Sequence, residues 1–241
     1  MKKRKTGISL LSMAIAVGFV MSSCIKSSTP PPATPAKSYV SILHLAPTAP
    51  TLDVFFNDTK VSTNPFTPGS VSAAYNEVEK GDFAIRFKKA SSDSVVATVP
   101  FAEYDSLRFY TIFIYNLQAN GPAEAMRIED NFAGLNANKT FYRFFHASPN
   151  VNSVDLYIDN AKIQSGRSQA DNAGQGPLNE FVEASPGFHT FQVKLAGTDS
   201  TIASSTSVDL AAGNAYTIYL KGLGGGSGSS GLSLELLRAV N

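Results

Sequence analysis

The chain has 241 residues, 43% of them hydrophobic and 16% charged, a balance that excludes a disordered or collagen-like protein and allows one large domain or two ordinary ones. Twenty basic residues face nineteen acidic ones, but Lys2, Lys3, Arg4 and Lys5 lie in the first five positions and every acid lies after Cys24. Without that leader, sixteen basic against nineteen acidic residues leave a net −3, which argues against nucleic acid as a partner because phosphate-backbone binding needs clustered Lys and Arg.

Residues 1–23 read as a targeting segment: a basic start, an apolar run from Ile8 to Val20 too short to span a bilayer comfortably, then Ser22 and Ser23 before Cys24. Met21-Ser22-Ser23-Cys24 resembles the lipobox of bacterial lipoproteins, with Met where Leu is usual. The resemblance implies cleavage before Cys24, a diacylglyceryl group on its thiol and acylation of the new N-terminus. The alternative is an ordinary signal peptide with an incidental cysteine. Cys24 is the only cysteine, so it cannot form an intramolecular disulfide, and lipid attachment accounts for a thiol otherwise left over in an exported protein. Ile25, rather than Asp, follows it; by similarity to known sorting rules this implies the outer membrane, on its periplasmic side or at the cell surface. Residues 24–38 hold Ser, Thr and four prolines, Pro30, Pro31, Pro32 and Pro35, a composition that favours extended polyproline II segments over a packed core. They read as a stalk.

Beyond the stalk the chain repeats itself. Tyr39 to Val61 aligns without gaps to Phe141 to Ile163 at a shift of 102 positions, placing His44 on His146, Pro47 on Pro149, Asp53 on Asp155 and Lys60 on Lys162. Gly81 to Leu117 aligns to Gly187 to Leu223 at a shift of 106, matching Lys88 to Lys194 and Tyr110-Thr111-Ile112 to Tyr216-Thr217-Ile218. The four-residue difference falls in the Gly/Asn/Gln-rich stretch Gln164 to Pro177, where a surface loop would absorb it. Within each unit, β-branched and aromatic runs such as Val40 to Leu45, Leu52 to Phe56, Phe83 to Lys88 and Phe109 to Leu117 alternate with turn residues, the pattern of short strands. Asn57-Asp58 and Asp159-Asn160 sit where hairpin turns belong. Residues 39–135 and 140–241 are therefore expected to be two tandem immunoglobulin-like β-sandwich domains, all-β, with about seven strands each, and each compact when expressed alone.

The paired signatures His44-Leu-Ala-Pro47 with Leu52-Asp-Val-Phe-Phe-Asn-Asp58, and His146-Ala-Ser-Pro149 with Val154-Asp-Leu-Tyr-Ile-Asp-Asn160, followed by Ala212-Gly-Asn-Ala-Tyr-Thr-Ile-Tyr219, resemble the repeat family named domain of unknown function 4397. The likeness is stronger in the second copy. The first departs from it at Leu45-Ala46 and at Leu107-Arg108-Phe109. It implies an exported or cell-envelope protein and brings no catalytic residues.

A search for chemistry finds little. Three histidines, His44, His146 and His189, and one cysteine are too few for an ordinary zinc site, and no metal or cofactor is expected. His44 with Asp53, or His146 with Asp155, could in principle form a dyad; each pair, together with Pro47 and Pro149, reads instead as structural, bonding backbone beside a Pro turn. Asp53, Asn57 and Asp58, with Asp155, Asp159 and Asn160 as counterparts, could bind calcium weakly, although turn chemistry alone explains them. Gly226-Ser-Gly-Ser-Ser-Gly231 matches a dinucleotide fingerprint as a string but precedes the alternating Leu232 to Leu236, a strand where the fingerprint needs a helix. The expected function is non-enzymatic: a lipid-anchored envelope or surface protein whose two domains bind or scaffold an envelope protein or a glycan. The alternative is a hydrolase of envelope or environmental polymers with a site assembled from loops.

Overall fold

A computed structural model describes residues 36–240 apart from 73, 74, 174 and 175. The leader, Cys24 and the stalk up to residue 35 lie outside the described residues, and residues 35–241 form one compact unit. The fold is all-β; among the described residues the helical content is three single 3₁₀ turns.

The first repeat has eight strands: β1 (Lys37–His44), β2 (Leu52–Phe56), β3 (Thr59–Lys60), β4 (Asn76–Glu79), β5 (Gly81–Lys89), β6 (Val95–Tyr104), β7 (Phe109–Asn116) and β8 (Ala123–Asp130). They make two sheets, β4-β1-β7-β8 and β3-β2-β5-β6, and β1 runs parallel to β7. The second repeat has ten: β9 (Thr140–His146), β10 (Val154–Ile158), β11 (Ala161–Arg167), β12 (Val182–Ala184), β13 (Gly187–His189), β14 (Phe191–Leu195), β15 (Thr201–Ser204), β16 (Val208–Leu210), β17 (Ala215–Lys221) and β18 (Ser233–Val240). Its sheets, β12-β9-β17-β18 and β11-β10-β14-β15, repeat the first order, with β9 parallel to β17. The two extra strands arise because the long β5–β6 hairpin is broken here into β14–β15 and the separate pair β13–β16. Each copy is a two-sheet sandwich of immunoglobulin-like size, and the two share one strand order.

Strand β1 begins at Lys37, so the last two residues assigned to the stalk belong to the sheet. The Ser38 hydroxyl donates to the Tyr104 carbonyl at 2.8 Å or the Asp105 carbonyl at 2.6 Å. The expected turns are present: Asn57, Asp159 and Asn160 all have positive φ, which Asn and Asp tolerate best among non-glycine residues.

Each sandwich has its own core. Val40, Ile42, Leu52, Val54, Ile85, Phe87 and Ile112 pack in the first, and Phe144, Leu156, Phe191, Val193 and Ile218 in the second. A third apolar layer joins the copies. Leu43, Leu45, Phe113, Tyr115 and Ile128 of the first meet Phe145, Ala147 and Tyr219 of the second, and the Phe113 and Phe145 rings lie 5.2 Å apart. The sheets holding β1, β7, β9 and β17 are thus covered on both faces, which explains why these strands read as continuous apolar runs rather than as alternation.

Candidate functional site

His44 and His146 lie at the ends of β1 and β9, fully buried. In both copies Nε2 reaches the carbonyl six residues on, Pro50 at 3.1 Å and Asn152 at 2.9 Å. A carbonyl only accepts, so Nε2 carries the hydrogen and Nδ1 is left a bare nitrogen; in both rings Nδ1 is buried and meets no hydrogen-bond partner. Burial pushes both imidazoles below their ordinary range and keeps them neutral. Asp53 and Asp155, on β2 and β10, point elsewhere. Asp53 pairs with Lys60 at 2.9 Å and accepts the Ser91 amide at 3.2 Å. Asp155 pairs with Lys162 at 2.7 Å and accepts the Gly166 amide at 2.9 Å. The Lys162 ammonium, followed by the Gly166 amide, holds the Asp155 carboxyl down at about 2. The His and Asp of each signature thus serve two different turns. Pro47 and Pro149 follow the histidines into the loops that those imidazoles brace.

His146→Ala and Asp155→Ala are each expected to destabilise the second sandwich by about 1 to 3 kcal/mol, read as a lower melting temperature. The pH dependence separates them. The unfolded chain protonates histidine near pH 6.5 and aspartate near pH 3.9, above the folded values of His146 and Asp155. Stability from His146 is complete above about pH 6.5 and shrinks below it; stability from Asp155 is complete above about pH 4 and is lost as pH falls towards about 2. His146→Ala should make the first decline shallower and Asp155→Ala the second. Melting temperatures equal to wild type at every pH would remove this account of the pair.

The turn oxygens considered for calcium are engaged by nitrogen groups. Asp58 pairs with Arg86 at 2.6 Å, the Asn57 side-chain oxygen accepts the Ala84 amide at 3.1 Å, and Asp159 accepts the Thr190 amide at 2.9 Å. Among the described residues no three His, Cys, Asp or Glu side chains gather to hold a metal. A His–Asp contact does form, but between residues the repeat register does not pair: His189 Nδ1 lies 2.6 Å from Asp159. Its Nε2 faces the Ser185 carbonyl at 2.8 Å, so neither nitrogen is available to deprotonate a nucleophile. The glycine string 226–231 lies in the loop between β17 and β18. Just before it, Gly222 has φ +88°, and a Cβ there would come within 2.1 Å of the Gly231 carbonyl oxygen, so this loop closes only with glycine.

Two further features carry no sequence motif. At the contact between copies, Arg143 from β9 is buried against Asp130 from β8. Arg143 also donates to Thr217 at 3.0 Å and to Thr111 at 2.8 Å, and Asp130 accepts from Thr111 at 2.6 Å and Tyr75 at 2.5 Å. Burial pushes the Tyr75 phenol up, so it stays a donor. A polar cavity of about 390 Å³ opens beside this pair, with Glu129 and Glu180 among its walls.

The second feature is an apolar cleft of about 460 Å³ in the side of the first sandwich. It is lined by Val40, Ile42, Val54, Phe56, Phe66 and Val78, with Ser62, Thr63 and Asn64 among its polar residues. It lies between the two sheets where the chain leaves β3, follows β2 (Phe66 amide to the Leu52 carbonyl, 2.8 Å) and crosses to β1 (Gly69 amide to the His44 carbonyl, 2.7 Å). In the second copy the same crossing is the four-residue-longer stretch expected to be a surface loop. Most of its described residues stay at the surface, but two turn inward. Asn172, fully buried, accepts the His146 amide at 3.3 Å and donates to its carbonyl at 2.7 Å, doing with a side chain what Gly69 and Ser70 do with backbone in the first. Arg167, also buried, donates to the Phe144 carbonyl at 3.0 Å.

No curated protein matches the chain. The sequence profile described as domain of unknown function (DUF4397) matches residues 38–157 and again residues 140–237. The duplication and the two sandwiches therefore belong together, and the chain is a tandem-repeat member of the DUF4397 family.

Proposed function

We propose that the protein is lipid-anchored in the cell envelope through Cys24, at the outer membrane, and acts as a non-catalytic binding or scaffolding module for an envelope component. One observation supports the non-catalytic reading above others: in both copies the signature histidine and aspartate face into separate turns and bond backbone and lysine, so duplication has preserved a way of bracing loops. Pull-down from envelope extracts with the mature protein, beside a glycan panel, tests it. Stoichiometric retention of a component without turnover is expected; release of cleaved glycan would make the protein a hydrolase. For the anchor, Cys24→Ser should move the protein from the detergent phase to a soluble or uncleaved form. A variant that stays in the membrane fraction as a processed protein would remove the anchor from this proposal.

A further inference from the structure

We infer that one end of the molecule is a membrane contact: Leu107 and Phe188, with Phe101 further up the same end, rest on the bilayer that holds the Cys24 anchor and fix which way the two sandwiches face. This deepens the anchored binding reading and rests on it. Both copies point the same way. Thr111 on β7 meets Arg143 on β9 at 2.8 Å and the Phe113 and Phe145 rings lie 5.2 Å apart. At the far ends of these strands the Gln169 amide donates to the carbonyls of both Asn116 and Ala147. Because β1 is parallel to β7 and β9 to β17, all four strands start at one end, where the chain enters β1 at Lys37.

Among the described residues the three most exposed large apolar side chains are Phe188 at 76%, Leu107 at 71% and Phe101 at 67%, and all three lie towards this end. The Leu107 amide donates to the Lys37 carbonyl at 2.7 Å. Phe188 lies four residues past Ala184, which pairs with Thr140 at the start of β9. Phe101 lies three residues before Tyr104, whose carbonyl accepts the Ser38 hydroxyl, roughly 10 Å up the strand. The fold requires none of them, because the repeat register puts Asp82, Gly213 and Ser207 in the places of Phe188, Leu107 and Phe101. Leu107 even opposes stability there: its φ is +60°, where Gly213 has +77°, and left-handed backbone disfavours leucine.

The length and exit of the tether favour a bilayer as the occupant. Cys24 lies thirteen residues before Lys37, a reach of at most about 45 Å when fully extended. Turning the opposite end to the membrane would require the tether to double back along the roughly 26 Å of β1. Charge adds no attraction for anionic lipid: Lys37, Arg108 and Lys139 are paired with Glu79, Glu129 and Glu183, and Asp105 and Asp209 add negative charge. The contact is therefore apolar. On a chain already tethered, a few interfacial side chains set orientation without themselves holding the protein on the membrane. The loops braced by His44 and His146, at the other end of β1 and β9, then face away from the bilayer.

The chain contains no tryptophan, so Leu107→Trp, Phe188→Trp and the control Leu117→Trp each give the mature, lipidated protein a single fluorescent reporter. Leu117, 49% exposed, follows β7 at the opposite end. In phosphatidylcholine vesicles the reporters at 107 and 188 should shift to the blue and lose fluorescence to brominated acyl chains, at low and high salt alike, while the reporter at 117 does neither. Leu107→Gly, which imports the residue of the second copy, should raise the melting temperature by about 2 to 4 °C by relieving a left-handed leucine. It should also reduce quenching of the reporter at 188. Quenching at 107 and 188 no greater than at 117, or a Leu107→Gly variant that melts lower than wild type, would each overturn the proposal. So would a blue shift without lipid that accompanies a doubling of mass by light scattering, which would assign this end to a second copy of the chain. A protein that enters the detergent phase through Cys24 yet leaves both reporters unquenched keeps the anchor and loses this contact; one that never enters it loses both.

Discussion

Asp130→Ala is expected to cause the largest loss of stability among single substitutions at polar positions, about 3 to 5 kcal/mol. The carboxylate is fully buried and receives Arg143, Thr111 and Tyr75. Removing it leaves a guanidinium, itself 1% exposed, without the anion it pairs with. For a chain of this size the loss corresponds to a melting temperature lower by roughly 6 to 20 °C. Asp130→Ala combined with Arg143→Leu should recover much of it, because an apolar pair avoids the desolvation that the ion pair must overcome. Thermal melts of the two single variants and the double variant decide the matter. A single Asp130→Ala within 2 °C of wild type, a shift smaller than about 1 kcal/mol would give, would mean that the pair contributes nothing to the joint between repeats.

Separating the repeats is the second large perturbation. Residues 39–135 and 140–241 each contain a complete two-sheet core, so each fragment should remain compact, with protected amides in its own sandwich. Each will also expose a face that the intact chain buries. The first presents Leu43, Leu45, Phe113 and Ile128, and the second presents Phe145, Tyr219 and an Arg143 that has lost Asp130. Fully burying one such apolar side chain contributes roughly 1.5 to 3 kcal/mol. The fragments are therefore expected to self-associate alone and to form a one-to-one complex when mixed, seen by size-exclusion chromatography with light scattering. Two monomeric fragments that ignore each other would show that the central layer does not hold the copies together.

The arginine illustrates how a site can be visible in sequence and still be passed over. In Phe141-Tyr-Arg-Phe-Phe-His146 a single charge interrupts an apolar run, and alternation assigns it to an outward face. That face is outward only for an isolated sandwich. Once the second copy packs against the first, Arg143 needs a buried partner, and Asp130 comes from the other copy, a position the duplication does not mirror. The His189–Asp159 contact escaped for a related reason. The pair is not repeated, since the first copy has Phe83 and Asn57 at these places.

The main strand runs, the turns at Asn57 and Asp159, the duplication and its family were legible because they rest on local patterns: runs of β-branched and aromatic residues, positive-φ tolerance, and side chains matched at fixed offsets, whereas the count of about seven strands per copy fell short of the eight and ten that form. The insertion between Gln164 and Pro177 was legible as a length difference, but its composition is that of a loop, and only the fold places Asn172 against the His146 end of β9. The cleft follows the same logic. Val40, Ile42 and Val54 read as core in any sandwich, and only the fold shows that a cleft opens beside them. Sequence alone determined which residues alternate, turn and repeat, since neighbours along the chain decide those. Tertiary structure decided which faces are buried twice, which charges meet and which side of a sandwich stays open, since each depends on groups that the chain brings together from far apart.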